Sequence, residues 1–537
     1  VISDQLRSEV QDWIKNDPDT GTAEQLSKWL SEGNELELNR CFNGFLQFGT
    51  AGLRGPISPG PSGMNRAVVS RTAAAIASFM KENNLTTVVI GRDARHRSVD
   101  FAKDSAEIFA GAGIKTYLFP QEIPTPVLAF AVNKLNANVG IMVTASHNPA
   151  TDNGYKVYLG ASISGVKYRG SQITSPIDRE ISNLIAKADL SPKRSSKYEV
   201  VNEEITSDYI SATAKLATTA NNLKIVYTAL HGVGMKTLVN VFEKAKFSKP
   251  ILVSEQALPD PNFPTTPFPN PEESGVMDLA IKYAKKHDAD LVIANDPDAD
   301  RCAVAISDES QNWRMLRGDE VGAILGKYLI ESGKLTGKSV SNSLVSSTLL
   351  SKIAQKHGIR FEETLTGFKW ISKVSNLGYG YEEAIGYCVD PEIVNDKDGI
   401  SAALLIAQLA GELKVKSSSL SDYLQSIGEE FGFHETDQIS IRFSDVTEID
   451  NLLSRISNNP PDQLAGLALE TIEDLSKAEK MQTTGIRMKY QNNVRVIIRP
   501  SGTEPKLKCY IEVVCDTKKE AISLISQIKQ ALTKVLS

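Results

Sequence analysis

Apolar and polar positions divide the chain into stretches with two different periods. Residues 1–45 repeat apolar side chains at helical spacing, with Leu6, Val10, Trp13 and Ile14 on one face and Leu26, Trp29 and Leu30 continuing after a turn. This predicts amphipathic helices that serve packing. From Thr87 onward, short β-branched runs alternate with helical patterns: strands at 88–91, 116–119 and 139–143, helices over about 99–112 and 127–135, and strand-like 157–159. A stretch rich in Ser, Pro and Lys at 190–198 reads as a linker, and a second unit follows with a strand at 223–228, a helix at 276–287 and a strand at 291–294. A third opens near Gly337 with a strand at 339–344, a helix at 347–357 and a strand at 359–363. After a break at 428–433, strands at 438–443, 493–498 and 506–514 mix with helices at 446–456 and after Asp516. Alternating strand and helix predicts mixed or parallel sheets covered by helices. The expected fold is therefore three consecutive α/β mixed-sheet domains, 1–205, 206–325 and 326–432, followed by a smaller α+β domain at 433–537.

Length agrees with that division, because 537 residues exceed what one hydrophobic core supports and suggest three or four domains. A 41% hydrophobic and 23% charged composition is that of a soluble globular protein. The net charge of −6, with Lys and Arg scattered, argues against a nucleic-acid partner. Five cysteines, odd in number and without a CxxC pair, suggest neither a disulfide framework nor a zinc site, so a reducing cytoplasm is expected. The first residues are charged at once and no apolar run approaches the roughly 18 residues of a membrane span, so neither export nor anchoring is expected. Nothing in the composition indicates an oligomeric state.

Candidate chemistry sits where strands stop. The run 139–143 ends in Thr144-Ala-Ser-His-Asn-Pro149, a small polar loop that places Ser146 and His147 outside the carboxyl edge of a sheet. On its own this stretch reads as an ordinary turn. Residues 48–56 carry three glycines and put Arg54 in a flexible loop where a guanidinium can approach an oxyanion. Lys156 follows an Asp-Asn-Gly turn, and burial would lower its pKa enough for proton transfer. His231-Gly-Val-Gly234 lacks the third glycine of a dinucleotide fingerprint, since position 237 is Thr. Six prolines make 258–274 a loop without periodicity.

After the strand at 291–294, Asp296, Asp298 and Asp300 alternate, which on an extended backbone lets three carboxylates converge on one hard cation. A calcium-binding EF-hand is excluded, because the sixth position is Arg301 and the twelfth Ser307. Three acids at the end of an apolar strand would repel one another without a cation, and Mg2+ suits such oxygen ligands. Arg301 immediately follows them. Glu382, preceded by Gly378 and Gly380, puts a carboxylate on a mobile backbone able to accept from two sugar hydroxyls. Arg499, Ser501, Gly502 and Thr503 offer a guanidinium, two hydroxyls and an exposed backbone N–H, a compact phosphate cradle.

The stretches at 142–149, 295–301, 380–387 and 499–505, in that order, resemble the α-D-phosphohexomutase superfamily, and the resemblance covers nearly the whole chain. It implies four domains around a central cleft that carry, in turn, a phosphoserine loop, a metal loop, a sugar loop and a phosphate loop. It implies active-site roles for Arg54, Lys156 and Lys397, a metal set of Asp296, Asp298 and Asp300 with the phosphate on Ser146, and sugar recognition by Thr366, Gly367, Lys369 and Glu382. Many members have Glu-x-Ser at the sugar loop, whereas this chain has Ala384 in the third position, so one hydroxyl contact is missing. The implied activity is interconversion of hexose 1- and 6-phosphates of glucose or mannose, through a phosphoserine enzyme and a bound sugar bisphosphate. Glu-Glu-Ala-Ile-Gly at 382–386 resembles the branch that includes pentose-phosphate mutases, which makes phosphopentomutase the alternative. A non-catalytic sugar-phosphate sensor should have lost Ser146 or an aspartate, and this chain keeps all four.

Overall fold

Four helix-flanked sheets carry most of the chain. The computed structural model describes residues 2–49, 52–220, 222–308, 312–443, 445–479, 481–501 and 506–536. They group into two units, one of 1–315 with 386–412 and one of 316–385 with 413–537.

In the first unit the helices Asp4–Asn16, Thr20–Ser31 and Glu35–Cys41 each begin at a side-chain cap, Ser3, Asp19 and Asn34, which accept from otherwise unpaired backbone N–H groups. Ile2, Leu6, Val10, Leu26 and Leu38 form a small core of their own. The first sheet runs Leu53–Pro56, Asp152–Leu159, Val139–Val143, Thr87–Arg92, Lys115–Leu118 and Glu199–Val200 in spatial order. Thr87–Arg92 is parallel to both its neighbours, and Asp152–Leu159 is antiparallel to Val139–Val143, so the sheet is mixed. Every residue of Val139–Val143 is buried, as expected of a strand covered on both faces. Arg54 lies on the edge strand Leu53–Pro56 opposite Gly154, not in a flexible loop. Gly52 makes that approach possible: at φ 75°, a Cβ there would meet the Tyr155 carbonyl oxygen at 1.8 Å. The strand carrying Lys156 also begins at Asp152, where a turn was expected, because the Asp-Asn-Gly stretch pairs with that edge strand.

The second sheet places Ile225–Thr228 between the parallel strands Ile251–Leu252 and Leu291–Ala294, then adds Ala303–Ser307 and Trp313–Met315 antiparallel. Leu291–Ala294 returns directly into Ala303–Ser307, with Ala294 opposite Ala303, so the aspartates occupy the tip of a hairpin. The segment 386–412 packs with this unit. Asp398 caps the nearly all-buried helix Gly399–Val415 by accepting from Ile400 N and Ser401 N, and also accepts from Tyr209 OH at 2.9 Å. A Cβ on Gly399 would lie 2.1 Å from the Arg301 carbonyl oxygen, which is why the helix can start so close to the aspartate loop.

In the second unit Ser339–Ser343 pairs in parallel with Arg360–Thr364 and Leu377–Glu382. Gly378 and Gly380 lie in a buried strand, so the backbone before Glu382 is not the mobile one expected; at Gly380 a Cβ would meet the Ile371 side chain at 2.4 Å. The last sheet is antiparallel, in the order Phe433–Arg442, Lys506–Cys515, Val494–Pro500, Ile486–Tyr490, Leu467–Asp474 and Gln463–Leu464. Helices Val446–Asn458 and Lys518–Leu536 cover it. The strands Leu467–Asp474 and Ile486–Tyr490 were not expected; no residue of the first is fully buried, so it lacks the alternation of apolar and polar positions that marks a half-buried strand.

A buried polar network holds this unit together. Glu512 accepts from Ser347 OH (2.7 Å) and Thr348 N (2.8 Å) and pairs with Arg495 (2.9 Å), which in turn donates to the carbonyls of Leu344 and Ser346. Burial alone would raise the Glu512 pKa, but Arg495 and His434 overcome it and hold the carboxyl well below the ordinary range. Among the described residues no such cation faces Asp319. Its Oδ1 accepts from Ser347 N (2.6 Å) and Tyr381 OH (3.0 Å), and burial pushes its pKa up to about 7. A raised carboxyl contributes stability below its unfolded pKa near 4 and loses it as pH rises through about 7. At about 1.4 kcal/mol per unit, the ionised form costs the fold on the order of 4 kcal/mol. Asp319→Asn keeps an oxygen for both donors and cannot ionise. The melting temperature of the variant relative to wild type is therefore expected to rise between pH 5 and pH 8; a constant difference would show that Asp319 is already ionised at pH 5.

Candidate active site

Ser146 sits at the end of Val139–Val143 with 3% of its surface exposed, and its backbone is left-handed at φ 52°. Non-glycine residues rarely occupy that region, and here both flanks are tied down. Ser146 N donates to Thr144 Oγ1 (2.9 Å), and Arg95 Nη2 donates to its carbonyl (2.6 Å). The hydroxyl donates to Asp296 Oδ2 at 2.8 Å, and His147 Nδ1 stands 3.3 Å from the serine Oγ. Burial first, then Arg301 and Arg54, pushes the His147 pKa well below its ordinary value, so the ring is neutral at pH 7. Arg54 Nη1 donates to Asn148 Oδ1 at 3.3 Å.

Asp296, Asp298 and Asp300 are all but completely buried, with carboxylate oxygens within 4.8 Å of one another. They converge through a tight turn and not, as expected, an extended backbone: Ala299 is left-handed at φ 57°, and its N–H donates to the Asp296 carbonyl. Asn295 braces the turn by donating to Arg301 O and accepting from Tyr227 OH. Lys156 Nζ bonds Asp298 Oδ2 (2.7 Å) and Asp300 Oδ2 (2.9 Å), and Lys397 Nζ lies 3.1 Å from Asp300 Oδ2. Thr125 OH donates to Asp298 Oδ2 at 2.6 Å. Burial opposes the Lys156 ammonium, but Asp298 and Asp300 outweigh it and raise the pKa, contrary to the lowering expected. Lys156 is an ammonium here, not a neutral base. Asp298 is held above the ordinary carboxylate range by burial and by Asp300, whereas Asp300 is brought below it, against burial, by Lys156, Lys397 and Arg301.

Asp298 Oδ1 and Asp300 Oδ1 are buried and have no hydrogen-bond partner among the described residues. Orphaned carboxylate oxygens in an all-oxygen cluster fit a hard divalent cation. The first unit thus brings together Ser146, His147, Lys156, Arg54, Asp296, Asp298, Asp300, Arg301 and Lys397. Sequence reasoning missed Thr125, Asn295 and Arg95, although Arg95 follows a strand, Thr87–Arg92, parallel to the serine strand and so ends at the same sheet edge.

The remaining candidates belong to the second unit. Glu382 Oε1 accepts from Gly367 N at 2.8 Å, which ties the 366–369 loop to the strand end. Ala384 offers no polar side chain, but Ser343 and Ser346 hydroxyls donate to Glu383 Oε2 at 3.2 and 3.4 Å. Arg499 lies against Tyr510, with its Nε unpartnered among the described residues, and Ser501 N donates to Lys506 O. Gly502 and Thr503 lie outside the described residues.

Four consecutive α/β and α+β regions and a serine facing an aspartate triad define a phosphosugar mutase. Models of the phosphoglucomutase/phosphomannomutase family match in order: α/β/α domain I at 46–191, domain II at 207–309, domain III at 317–431 and the C-terminal domain at 461–524. The chain belongs to that family. It is 46% identical over 482 residues to "Probable phosphomannomutase" of Haemophilus influenzae, covering 88% of this chain and 98% of that one. It is 36% identical to the phosphopentomutase of Pongo abelii, covering 98% and 95%. A phosphoglucomutase/phosphomannomutase family protein from Burkholderia thailandensis has the same fold, with a TM-score of 0.71 at 17% identity over 91% of this chain and 97% of that one. No described helix is long and apolar enough to cross a membrane.

The ion pairs allow a direct test. Lys156→Met leaves Asp298 and Asp300 buried with one ammonium fewer, and removing one partner of a buried pair costs roughly 3–5 kcal/mol. Asp298→Asn removes one of three mutually repelling charges and is expected to cost far less. Urea unfolding in the presence of a chelator measures both; equal losses would mean that Lys156 does not compensate the cluster.

Proposed function

We propose that Ser146 carries the phosphoryl group and that the protein interconverts hexose 1-phosphate and 6-phosphate of glucose or mannose through a bound sugar bisphosphate. The observation that carries this reading is the buried Ser146 hydroxyl, 2.8 Å from Asp296 at the edge of a carboxylate triad with two orphaned oxygens. A sugar hydroxyl attacks phosphorus in line, the new O–P bond forms as the Ser146 Oγ–P bond breaks, and the hydroxyl proton is replaced by one on the serine oxygen. The bisphosphate reorients, and its other phosphoryl group returns to Ser146 by the reverse steps.

His147, a neutral imidazole beside the serine oxygen, moves that proton, while Lys156 and Lys397 act as fixed positive charge. Arg54 and Arg301 bind the reacting phosphate. Asp296, Asp298 and Asp300 would hold Mg2+, which when bound supplies positive charge against the phosphoryl oxygens. Arg499, Ser501, Gly502 and Thr503 bind the phosphate that is not reacting, and Thr366, Gly367, Lys369, Glu382 and the Ala384 position bind the sugar. The four domains span 1–205, 206–325, 326–432 and 433–537, and the cytoplasm is the expected compartment.

The mannose assignment is supported by the Haemophilus relative. Pentose phosphates are the second reading, supported by the phosphopentomutase match along 98% of the chain and by the missing hydroxyl at Ala384. Turnover of glucose, mannose and ribose 1-phosphates under one set of conditions decides between them, and a ribose preference of tenfold or more would reverse the assignment.

Intact-mass measurement of freshly purified protein is expected to show a partly occupied single phosphate that is absent from Ser146→Ala, which should also lose turnover. An enzyme that is fully active and never phosphorylated would overturn the scheme. Adding Mg2+ at a hundredfold excess over its dissociation constant should stabilise the wild type by about 2.7 kcal/mol and Asp298→Asn much less. Equal stabilisation of both would place the cation elsewhere.

A further inference from the structure

Four of the five N–H donors of Arg95 go to one loop. Nη2 donates to the carbonyls of Ser146 (2.6 Å) and Asn148 (2.5 Å), and Nη1 to those of Pro149 (2.7 Å) and Asp152 (3.1 Å). Nε faces Asp93 Oδ2 at 3.4 Å, and Asp93 Oδ1 also accepts from Arg95 N (3.0 Å) and Ser98 OH (2.7 Å). Only 1% of the Arg95 side chain is exposed. No other side chain presents five donors in a planar fork, and the three of a lysine cannot reach four carbonyls spread over seven residues.

The guanidinium is backed by the proline-rich loop. Phe263 stacks on it with the guanidinium carbon 4.9 Å from the ring centroid, and its neighbour Asn262 is hydrogen-bonded to His96 at 2.9 Å. Five residues further on, the Phe268 ring lies against His147 at 6.4 Å, and Glu272 stands 4.0 Å from Arg301. Six prolines restrict the backbone of this loop, so it can act as a fixed wall behind the serine loop.

Ser146 itself is in the left-handed region, a conformation that persists only where its surroundings impose it. Thr144 holds its N–H and Arg95 its carbonyl. We infer that Arg95, braced by Phe263, is the positioning residue that fixes Ser146 in this conformation and so aims Oγ at the phosphoryl-transfer position. Misplacing a reacting atom by about 1 Å can cost about a hundredfold in rate, so a loosened loop should slow transfer without weakening substrate binding. The inference rests on the reading that Ser146 carries the phosphoryl group.

The test is single-turnover transfer from enzyme labelled with radioactive phosphate, with the rate expressed per labelled site. For Arg95→Lys we expect a ten- to hundredfold slower transfer to sugar 1-phosphate, a dissociation constant for the sugar phosphate within threefold of wild type, and a larger share of label lost to water. Arg95→Gly should regain at least tenfold when guanidinium is added. A residue that only supports folding would lower the fraction of protein that labels and leave the rate per labelled site unchanged, with no rescue. That result overturns the inference while leaving the phosphoserine reading intact. Absence of label on Ser146 in the wild type overturns the reading itself, and the inference with it. Should Arg95→Lys fail to fold, Phe263→Leu decides, because it keeps every hydrogen bond of Arg95 and removes only the stacked ring. A loss of threefold or more per labelled site supports the inference, and a wild-type rate overturns it.

Discussion

Three carboxylates buried within 4.8 Å of one another are the constraint on which the first unit is built. Burying an ion is expensive, and neighbouring like charges in a medium of low dielectric add to the cost. The fold answers with cations drawn from far along the chain. Lys156 comes from the antiparallel strand beside the serine strand, and Lys397 from the segment just before Gly399–Val415. Lys397 thereby ties 386–412 to 1–315, the residues with which it groups. The same pairing explains Gly399, where a side chain would push the helix start away from Arg301 and carry Lys397 with it. Even so, two ammonium groups facing three carboxylates leave Asp298 Oδ1 and Asp300 Oδ1 without hydrogen bonds among the described residues, the shortfall a divalent cation would make good.

Much of this could be read from sequence, because strand termination is a strong local signal. The fully buried run Val139–Val143 and the apolar run Leu291–Ala294 both end in short polar loops, and those loops carry Ser146 and the aspartates. What failed was conformation and protonation. Glycines at 378 and 380 suggested mobility, but they serve close packing of a buried strand, Gly378 against Leu335 and Lys338 and Gly380 against Ile371. Arg54 seemed free in a glycine-rich loop, yet those residues form an edge strand. Lys156 was expected to lose its proton on burial, and its two carboxylate partners reverse the sign. Arg95 and Thr125 were invisible for a different reason. Arg95 binds backbone carbonyls, which every sequence contains, and Thr125 reaches an aspartate 173 positions away, so neither leaves a local pattern.

The sugar loop shows why substrate choice resists motif reading. Its third position, Ala384, lacks the hydroxyl common in the family, and the string alone suggests one hydrogen-bonding group fewer. In the fold, Ser343 and Ser346 bring two hydroxyls onto Glu383 from the end of a different strand, while Glu382 is held by the Gly367 N–H. The chemistry around this loop is therefore set by residues some forty positions apart in the chain.

The hydrogen bond between Ser146 and Asp296 gives the proposed chemistry a built-in order. In the unphosphorylated protein the serine hydroxyl donates to Asp296 Oδ2, so that oxygen is partly satisfied without a cation. A phosphorylated serine has no proton on Oγ to donate. Asp296 Oδ2 then loses that donor at the moment when further negative charge arrives on the phosphate, while Oδ1 keeps its bond from Arg301 N, and the imbalance of the carboxylate cluster becomes larger. Cation affinity must accordingly be higher in the phosphorylated state than in the free one, and by linkage the bound cation favours the phosphorylated serine to the same degree. Lys156 and Lys397, already committed to Asp298 and Asp300, cannot take over this role without giving up their own ion pairs. In the proposed scheme an exchangeable ion held by Asp296, Asp298 and Asp300 would supply the charge that balances the phosphoryl group, and the fixed residues hold the aspartates in place.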